Sequence, residues 1–269
     1  MPELPEVETV RGQLEPVLVG RTFTDGGAHP SAKFATAPHV VGATVEAVRR
    51  RGKYLLVDLD DDRELVLHLG MTGRFLVGAE ATAPEHDPYV RAWWLLDDGS
   101  RLAYRDVRRF GRIAVVPAGD HRSLPTLHHL GPEPFDDAFS ADHLWQAVRA
   151  SSMRVKTQLL NQRVVAGVGN IYADEALWAA RVNPAARTIT RPQAARLRDA
   201  VREALAAGLE NGGTTLRDYR TVIGDEGRNQ HTLRCYGRAG EPCERCGTEL
   251  RRRVIDARGG TWCPTCQAR

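Results

Sequence analysis

The stretch KYLLVDLDDDRELVLHLG, residues 53–70, decides the fold of the first half of the chain. It contains two apolar, strand-like runs, KYLLVDL and ELVLHLG, which are joined by the polar sequence DDDR and together predict a β-hairpin. The sequence AWWLLDDGSRLAYRD, residues 92–106, repeats this pattern around Asp98 and Gly99, a residue pair typical of hairpin turns. The first half of the chain is therefore expected to consist mainly of strands.

One helix is predicted before these strands. Leu4, Val7, Val10 and Leu14 recur at helical spacing, so the sequence LPEVETVRGQL predicts a short amphipathic helix that Pro16 ends. A single helix followed by strands up to about residue 133 indicates a β-sandwich or a β-barrel.

The second half of the chain is predicted to be helical. The sequence LGPEPFDD, residues 130–137, is rich in proline and aspartate and marks the boundary. Beyond it, SADHLWQAVRAS predicts a helix capped by Ser140, and NIYADEALWAARVNP predicts another that stops before Pro184. A third helix is predicted in RPQAARLRDAVREALAAGLENGG, where Asn211 and Gly212 close it.

Four cysteines near the C-terminus form a metal-binding pattern. Cys243 and Cys246 are followed, after 16 residues, by Cys263 and Cys266. Each short pair can present two thiolates on one tight turn, and two such turns complete a tetrahedral zinc site. A closed four-cysteine site is structural because it leaves no open position on the metal. An iron–sulfur cluster and a redox-active dithiol are the alternatives.

Composition and charge restrict the kind of protein. The 269 residues include no apolar run of 18, and the N-terminus lacks the pattern of a signal peptide, so a soluble cytoplasmic protein is expected. Residues 134–269 carry 21 Lys and Arg against 15 Asp and Glu, whereas residues 1–133 carry 16 against 19. This basic second half indicates a polyanionic partner, although a solvated basic surface would give the same balance.

Two local features favour a nucleic acid as that partner. Gly167 and Gly169 precede a predicted helix, whose first amides would favour a phosphate, although a plain tight turn is equally compatible. A rigid basic hairpin between the cysteine pairs suits a nucleic-acid groove, with a solvated sheet edge as the alternative. The arginines of that hairpin are Arg251, Arg252, Arg253 and Arg258.

Six separated motifs together resemble the bacterial formamidopyrimidine-DNA glycosylase family. The motifs are PELPEVET, RRGKYLL, HLGMTGRF, RDVRRFG, VVAGVGNIYADEALW and CYGRAGEPCERCG with WCPTCQ, and they extend from Pro2 to Gln267. The resemblance implies an α+β multidomain fold. It comprises an N-terminal two-layered β-sandwich with flanking helices (1–133), a helix-two-turns-helix DNA-binding domain (134–234) and a four-cysteine zinc finger hairpin (235–269).

The resemblance also implies an activity in base-excision repair. Such an enzyme flips oxidised purines (8-oxoguanine and formamidopyrimidines) out of duplex DNA, excises them and then cleaves the strand at the abasic site by β,δ-elimination. With Met1 removed, Pro2 would be a secondary amine that forms a Schiff base, and Glu3 would be the proton donor. Lys53 and Arg258 would contact phosphates and donate protons during elimination. The implied partner is duplex DNA, bound by a monomer.

Further residues are implied to bind DNA. Met71 would fill the space left by the flipped nucleotide, Phe110 would wedge the opposite strand, and Arg108 would hydrogen-bond the orphaned cytosine. The other matching positions are Glu6, which orients the terminus, His68, Arg109 and Asn170, which contact phosphates, Lys156 and Glu175, which lie near the damaged base, and Tyr236, which contacts the DNA backbone.

Two departures from the family pattern leave alternatives open. Asn161 replaces a common aspartate, and the segment 219–232, a candidate for the loop that closes over the flipped base, has Asn229 where an aromatic residue is expected. Both bear on the range of lesions. One alternative is an endonuclease VIII-like glycosylase for oxidised pyrimidines. Others are a non-catalytic paralogue that binds damaged DNA and a zinc-ribbon regulator with an N-terminal scaffold.

Overall fold

The computed structural model describes residues 1–78, 81 and 86–268. Its helices are α1 (Leu4–Leu18), α2 (Pro125–His128), α3 (Ala141–Arg149), α4 (Val155–Leu160), α5 (Asn170–Ala179) and α6 (Arg191–Glu210). Its strands are β1 (Phe23–Ala28), β2 (Val45–Arg51), β3 (Tyr54–Leu59), β4 (Arg63–His68), β5 (Gly73–Val77), β6 (Val90–Leu96), β7 (Arg101–Asp106), β8 (Arg112–Pro117), β9 (Arg251–Ile255) and β10 (Arg258–Trp262).

Contacts divide the chain into two units. The first contains Met1–His128 together with Asn211–Arg228, and the second contains His129–Glu210 together with Asn229–Arg269. The first unit therefore includes a short segment from far along the sequence. No helix of the described residues is long and apolar enough to cross a membrane.

Within the described residues, the first unit contains two four-stranded antiparallel sheets. Their strand orders are β1-β6-β7-β5 and β2-β3-β4-β8. Both predicted hairpins are confirmed, since β3 pairs with β4 and β6 pairs with β7. Their turns contain Asp62 with φ of 61° and Gly99 with φ of 80°, both in the left-handed region that tight hairpins require. The chain passes from one sheet to the other between β4 and β5, and returns between β7 and β8.

An apolar core lies between the sheets and α1. From the helix it includes Val7, Val10 and Leu14, whose side chains are at most 1% exposed. Large side chains from both sheets, such as Trp94 and Leu55, complete it. The arrangement is the two-layered sandwich that the family resemblance implied, and the barrel alternative is excluded.

The predicted end of the first helix is wrong by two residues. Pro16 lies inside α1, which continues to Leu18. Proline lacks the amide that would donate a hydrogen bond to the carbonyl four residues earlier, but only this one hydrogen bond is lost. The last turn still forms because Leu18 packs in the core.

The second unit contains α3–α6 and the hairpin of β9 and β10. Ser140 caps α3 as predicted, because its Oγ accepts a hydrogen bond from the His143 amide at 3.1 Å. Helix α5 ends at Ala179, short of the predicted stop before Pro184, and α6 ends at Glu210 as predicted. Helix α6 packs against both α3 and α5.

Candidate functional site

The start of α1 holds two buried carboxylates. Glu3 and Glu6 are 3% and 2% exposed, and Pro2 before them is also buried. They form a reciprocal capping box, in which the Glu6 Oε2 accepts a hydrogen bond from the Glu3 amide at 2.7 Å. The terminus is therefore ordered by its own side chains rather than frayed.

Glu6 also binds a segment that lies about two hundred positions later in the chain. Its Oε1 accepts a hydrogen bond from the Thr214 amide at 2.7 Å. Gly213 has φ of 87°, and a Cβ there would lie 2.8 Å from the Glu6 Cγ, so this close approach requires glycine. The Tyr219 hydroxyl donates to the Gly212 carbonyl at 3.1 Å, and burial beside Glu6 raises the pKa of this phenol. Glu6 thus joins the two parts of the first unit.

Lys53 and His68 lie close together in the first unit. Lys53, after the turn that precedes β3, is 5% exposed. His68 ends β4, and burial followed by the charges of Lys53 and Arg112 lowers the pKa of its imidazole to about 4. The imidazole is therefore neutral at pH 7. Its Nδ1 accepts a hydrogen bond from the Gly70 amide at 3.2 Å, which leaves the Nε2 proton for a ligand.

The structure brings together Met71, Arg108 and Phe110. The Arg108 Nη1 lies 3.3 Å from the Met71 Sδ, and its guanidinium carbon lies 4.6 Å from the centre of the Phe110 ring. Phe110 is 50% exposed, so its ring is accessible from outside the protein. The half-buried thioether of Met71 thus forms one cluster with an exposed guanidinium and an exposed phenyl ring.

Arg109, between the last two of these residues, has φ of 55°, a left-handed conformation that is disfavoured for a residue with a Cβ. Lys33 stabilises it by donating from Nζ to the Arg109 carbonyl at 2.8 Å. Lys33 was not predicted from the sequence, because nothing near it in the chain indicates this contact.

In the second unit, Asn170 begins α5 and donates from Nδ2 to the Gly259 carbonyl at 2.8 Å. The same carbonyl accepts from the Lys156 Nζ at 3.2 Å. Lys156 is fully buried and pairs with the buried Asp174, with 2.6 Å between Nζ and Oδ1. The structure thus places the Lys156 side chain in the interior, and its position near a damaged base stays a prediction.

Glu175 follows Asp174 and binds the backbone. Its carboxylate accepts three hydrogen bonds from the consecutive amides of Arg234, Cys235 and Tyr236, at 3.0, 2.8 and 2.7 Å. Glu175 therefore holds the segment that leads into the cysteine cluster. This contact was not expected from the sequence either.

Arg258 begins β10 and is exposed. The turn before it contains Asp256 and Ala257, both with positive φ, as a two-residue hairpin requires. Asp256 accepts hydrogen bonds from Thr157 at 2.5 Å and from Arg154 at 3.3 Å, so the hairpin tip is attached to the start of α4. Arg258 consequently projects from a rigid tip.

The four predicted cysteines lie together. The thiol sulfurs of Cys243, Cys246, Cys263 and Cys266 are all within 4.8 Å of one another. Trp178 from α5 donates from Nε1 to the Cys243 Sγ at 3.4 Å, so the cluster is also held from outside. Four convergent sulfurs fit one tetrahedral zinc ion, with no position left for a substrate.

The two departures from the family pattern have local roles. Asn161 is the C-terminal cap of α4, and its Oδ1 accepts from the Arg163 amide at 2.9 Å. Asn229 is buried and bonds Thr232 through both its side-chain and backbone oxygens, each at 2.9 Å. Within the segment 219–232, the candidate for the loop that closes over the flipped base, Val222 is buried while Ile223 is 68% exposed. Only part of this segment is therefore packed against the first unit.

Three family models match successive parts of the chain. They are the formamidopyrimidine-DNA glycosylase N-terminal domain at residues 1–113, the helix-two-turns-helix domain of the same enzymes at 130–220, and the zinc finger found in these enzymes and in isoleucyl-tRNA synthetase at 240–269. The formamidopyrimidine-DNA glycosylase of Deinococcus radiodurans is 42% identical, covering 99% of this chain and 97% of the relative. The chain belongs to the formamidopyrimidine-DNA glycosylase family.

Solved structures of this family are similar over the whole chain. The MutM (Fpg) protein of Thermus thermophilus has a TM-score of 0.91 and 44% identity, covering 99% of this chain and 98% of that one. A single-residue mutant of the Lactococcus lactis Fpg, solved with DNA containing a formamidopyrimidine lesion, has a TM-score of 0.89 and 33% identity, covering both chains completely.

Membership of the formamidopyrimidine-DNA glycosylase family makes the chain a DNA glycosylase of base-excision repair. The predicted family, fold class and structural zinc are confirmed. The iron–sulfur and dithiol alternatives for the cysteines are replaced by the zinc finger. The roles of individual residues stay predictions.

Proposed function

We propose that this protein excises oxidised purines from duplex DNA through a Schiff base on Pro2 and then cleaves the strand by β,δ-elimination. The observation that carries the proposal is the buried, capped start of α1, which presents Pro2 and Glu3. Excision of a base and cleavage of the strand both follow from the chemistry of a secondary amine held at that position.

The first step requires a free amine. With Met1 removed, the Pro2 nitrogen attacks the anomeric carbon of the damaged nucleotide, the bond to the base breaks with its electron pair, and the proton lost from the nitrogen goes to the departing base. Glu3 donates a proton to the sugar ring oxygen as the ring opens. The positive end of α1 disfavours an ammonium group, whereas the nearby carboxylates of Glu3 and Glu6 favour it. The capping box holds this terminus still, which suits a reaction that depends on orientation.

The second step uses the iminium that results. This cation withdraws electrons, so a proton of the neighbouring sugar carbon becomes acidic and the 3′ phosphate leaves, followed by the 5′ phosphate. Lys53 and Arg258 are proposed to contact the phosphates and to donate protons during these eliminations. The burial of Lys53 and the rigid hairpin under Arg258 support roles that need defined positions.

A second group of residues is proposed to hold the DNA open. Flipping a nucleotide costs a few kcal/mol of stacking, which contacts in the vacated space must offset. Met71 is proposed to fill that space, Phe110 to wedge the opposite strand, and Arg108 to hydrogen-bond the orphaned cytosine. Their convergence in one cluster, with Arg108 and Phe110 exposed, supports this assignment.

The remaining residues divide into direct contacts and supports. His68, Arg109, Asn170 and Tyr236 are proposed to contact phosphates, and the neutral His68 would do so by donating from Nε2. Glu6, Lys156 and Glu175 are buried or bonded to backbone amides, so we assign them to positioning rather than to the DNA surface. The proposed domains are 1–133, 134–234 and 235–269, and the proposed location is the cytoplasm, where a bacterial chromosome lies.

The test is borohydride trapping on a duplex with one 8-oxoguanine opposite cytosine. Borohydride reduces the iminium, so the parent protein should become covalently attached to the DNA. Pro2→Gly should lose most of this product, because glycine offers a primary amine on a flexible backbone. Pro5→Gly is the matched control, since Pro5 lies in the first turn of α1, three residues after Pro2, and has no terminal nitrogen.

Three results would contradict the proposal. Binding of the duplex without an adduct would favour a non-catalytic paralogue. An adduct with thymine glycol opposite adenine, but none with 8-oxoguanine, would favour the endonuclease VIII type. Equal trapping by Pro2→Gly and the parent would remove Pro2 as the nucleophile. Strand cleavage products on a sequencing gel separate the lyase step from base excision.

A further inference from the structure

Two turns carry the residues that are proposed to occupy the opened duplex, and the topology places them side by side. Residues 69–72, with Met71, connect β4 to β5, and residues 107–111, with Arg108 and Phe110, connect β7 to β8. Gly73 is paired with Asp106 in one sheet, and His68 is paired with Arg112 in the other. Both connections therefore run between the paired strands β4 and β8 of one sheet and the paired strands β5 and β7 of the other, so the two turns are neighbours.

One buried carboxylate bonds to both turns. Asp106 is 0% exposed, and its Oδ1 accepts from the Thr72 hydroxyl at 2.5 Å while its Oδ2 accepts from the Gly111 amide at 2.8 Å. The Thr72 Oγ1 in turn accepts from the Arg108 amide at 3.0 Å. Asp106 is thus linked to the first turn directly and to both ends of the second turn.

The exposed side chains depend on this link for their relative positions. Phe110 is half exposed and so has little packing of its own. Arg109 has a disfavoured left-handed conformation, which persists only where neighbouring bonds hold it. The turns are also too close to adjust freely, since a Cβ on Gly111 would lie 1.8 Å from the Tyr104 hydroxyl. Hydrogen bonds to a buried carboxylate are stronger than those between neutral groups.

We propose that Asp106 is a positioning residue that sets discrimination between opposite bases. It has no exposed surface and does not touch the DNA. It acts by fixing the backbone of Arg108 relative to that of Met71. The guanidinium is then held where it can hydrogen-bond an orphaned cytosine but not an adenine. The inference rests on the proposed function, in which Arg108 reads the orphaned base.

The test compares excision of 8-oxoguanine opposite cytosine with excision opposite adenine under single-turnover conditions. Asp106→Ala removes both bonds, and we expect the cytosine-to-adenine rate ratio to fall by about tenfold, the value of one charge-assisted hydrogen bond. Borohydride trapping on a duplex that already contains an abasic site involves no excision, so it does not depend on reading the opposite base. The yield of adduct in this assay should be the same for Asp106→Ala and the parent. Asp120→Asn is the control, because Asp120 lies on an exposed loop and pairs with its neighbour Arg122.

A second pair of variants keeps the test decisive if Asp106→Ala does not fold. Thr72→Val deletes the hydroxyl that joins Asp106 to the Arg108 amide, and Thr72→Ser retains it. Loss of discrimination in Thr72→Val with recovery in Thr72→Ser supports the proposal. An unchanged ratio, or a parallel fall of both rates together with abasic-site trapping, would overturn it. A parent protein that forms no adduct and makes no discrimination would overturn the proposed function, and this inference with it.

Discussion

Two adjacent glycines of β10 should respond very differently to the same added methyl group. A Cβ on Gly260 would lie 2.2 Å from the Lys156 Nζ and 2.9 Å from the Asp174 Oδ2, whereas a Cβ on Gly259 would come no closer than 3.7 Å to Arg252. Neither glycine has a positive φ, so backbone strain does not distinguish Gly260→Ala from Gly259→Ala.

The magnitude follows from the buried ion pair. A methyl group needs about 3.4 Å from the ammonium, so the Nζ must move by about 1.2 Å. Moving it directly away from Asp174 would stretch the 2.6 Å pair to about 3.8 Å, which at an effective dielectric constant of about 20 weakens the attraction by about 2 kcal/mol. Although Nζ ends a flexible side chain, Lys156 is fully buried and cannot exchange this partner for water. Gly260→Ala should therefore lower the free energy of unfolding by about 2 kcal/mol relative to Gly259→Ala.

The assay is urea unfolding of both variants with zinc bound, followed by tryptophan fluorescence and by zinc release to a chromophoric chelator. Zinc release reports on the finger itself, and the general effect of replacing glycine by alanine cancels between the variants. Asp174→Asn, which leaves the lysine buried without its counter-charge, should cost more, about 3–5 kcal/mol. Equal stability of Gly260→Ala and Gly259→Ala would refute the reasoning, since it would mean that Lys156 relocates without cost.

Two further outcomes are expected. Because the pKa of His68 is lowered to about 4 in the folded state, the unfolded chain binds the proton first, and stability should be lost as pH falls from 6.5 towards 4. His68 should contribute about 2 kcal/mol to the loss in the free energy of unfolding between pH 7 and pH 5. Urea unfolding of His68→Gln should lack this contribution, and a pH dependence equal to that of the parent would contradict the lowered pKa of His68. Displacing zinc with a mercurial reagent should abolish DNA binding while the melting of the first unit is kept, because the four cysteines organise only the finger. If the zinc-free protein still bound DNA in a filter assay, the expected dependence of DNA binding on zinc would be contradicted.

Local patterns in the sequence were sufficient for most of the secondary structure and for the metal site. The hairpins at Asp62 and Gly99, the cap at Ser140 and the two short cysteine pairs all depend on residues within a few positions of one another. Steric limits and hydrogen bonds at that range are independent of the rest of the chain. One exception, at Pro16, arose because core contacts of Leu18 extended a helix that local preference would have ended.

The tertiary structure alone decided which polar residues are buried and what they hold. Asp106 meets Thr72 across 34 positions, Lys156 meets Gly259 across 103, and Glu6 meets Thr214 across 208. No spacing rule covers such distances, because they depend on how the strands and helices pack. A lysine or glutamate is ordinarily solvated, and only a partner brought by the fold makes its burial tolerable. The sequence by itself therefore determined the helices and strands, the zinc ligands and the family motifs. The packing of distant segments determined that Glu6, Asp106 and Lys156 are buried and which parts of the chain they hold in place.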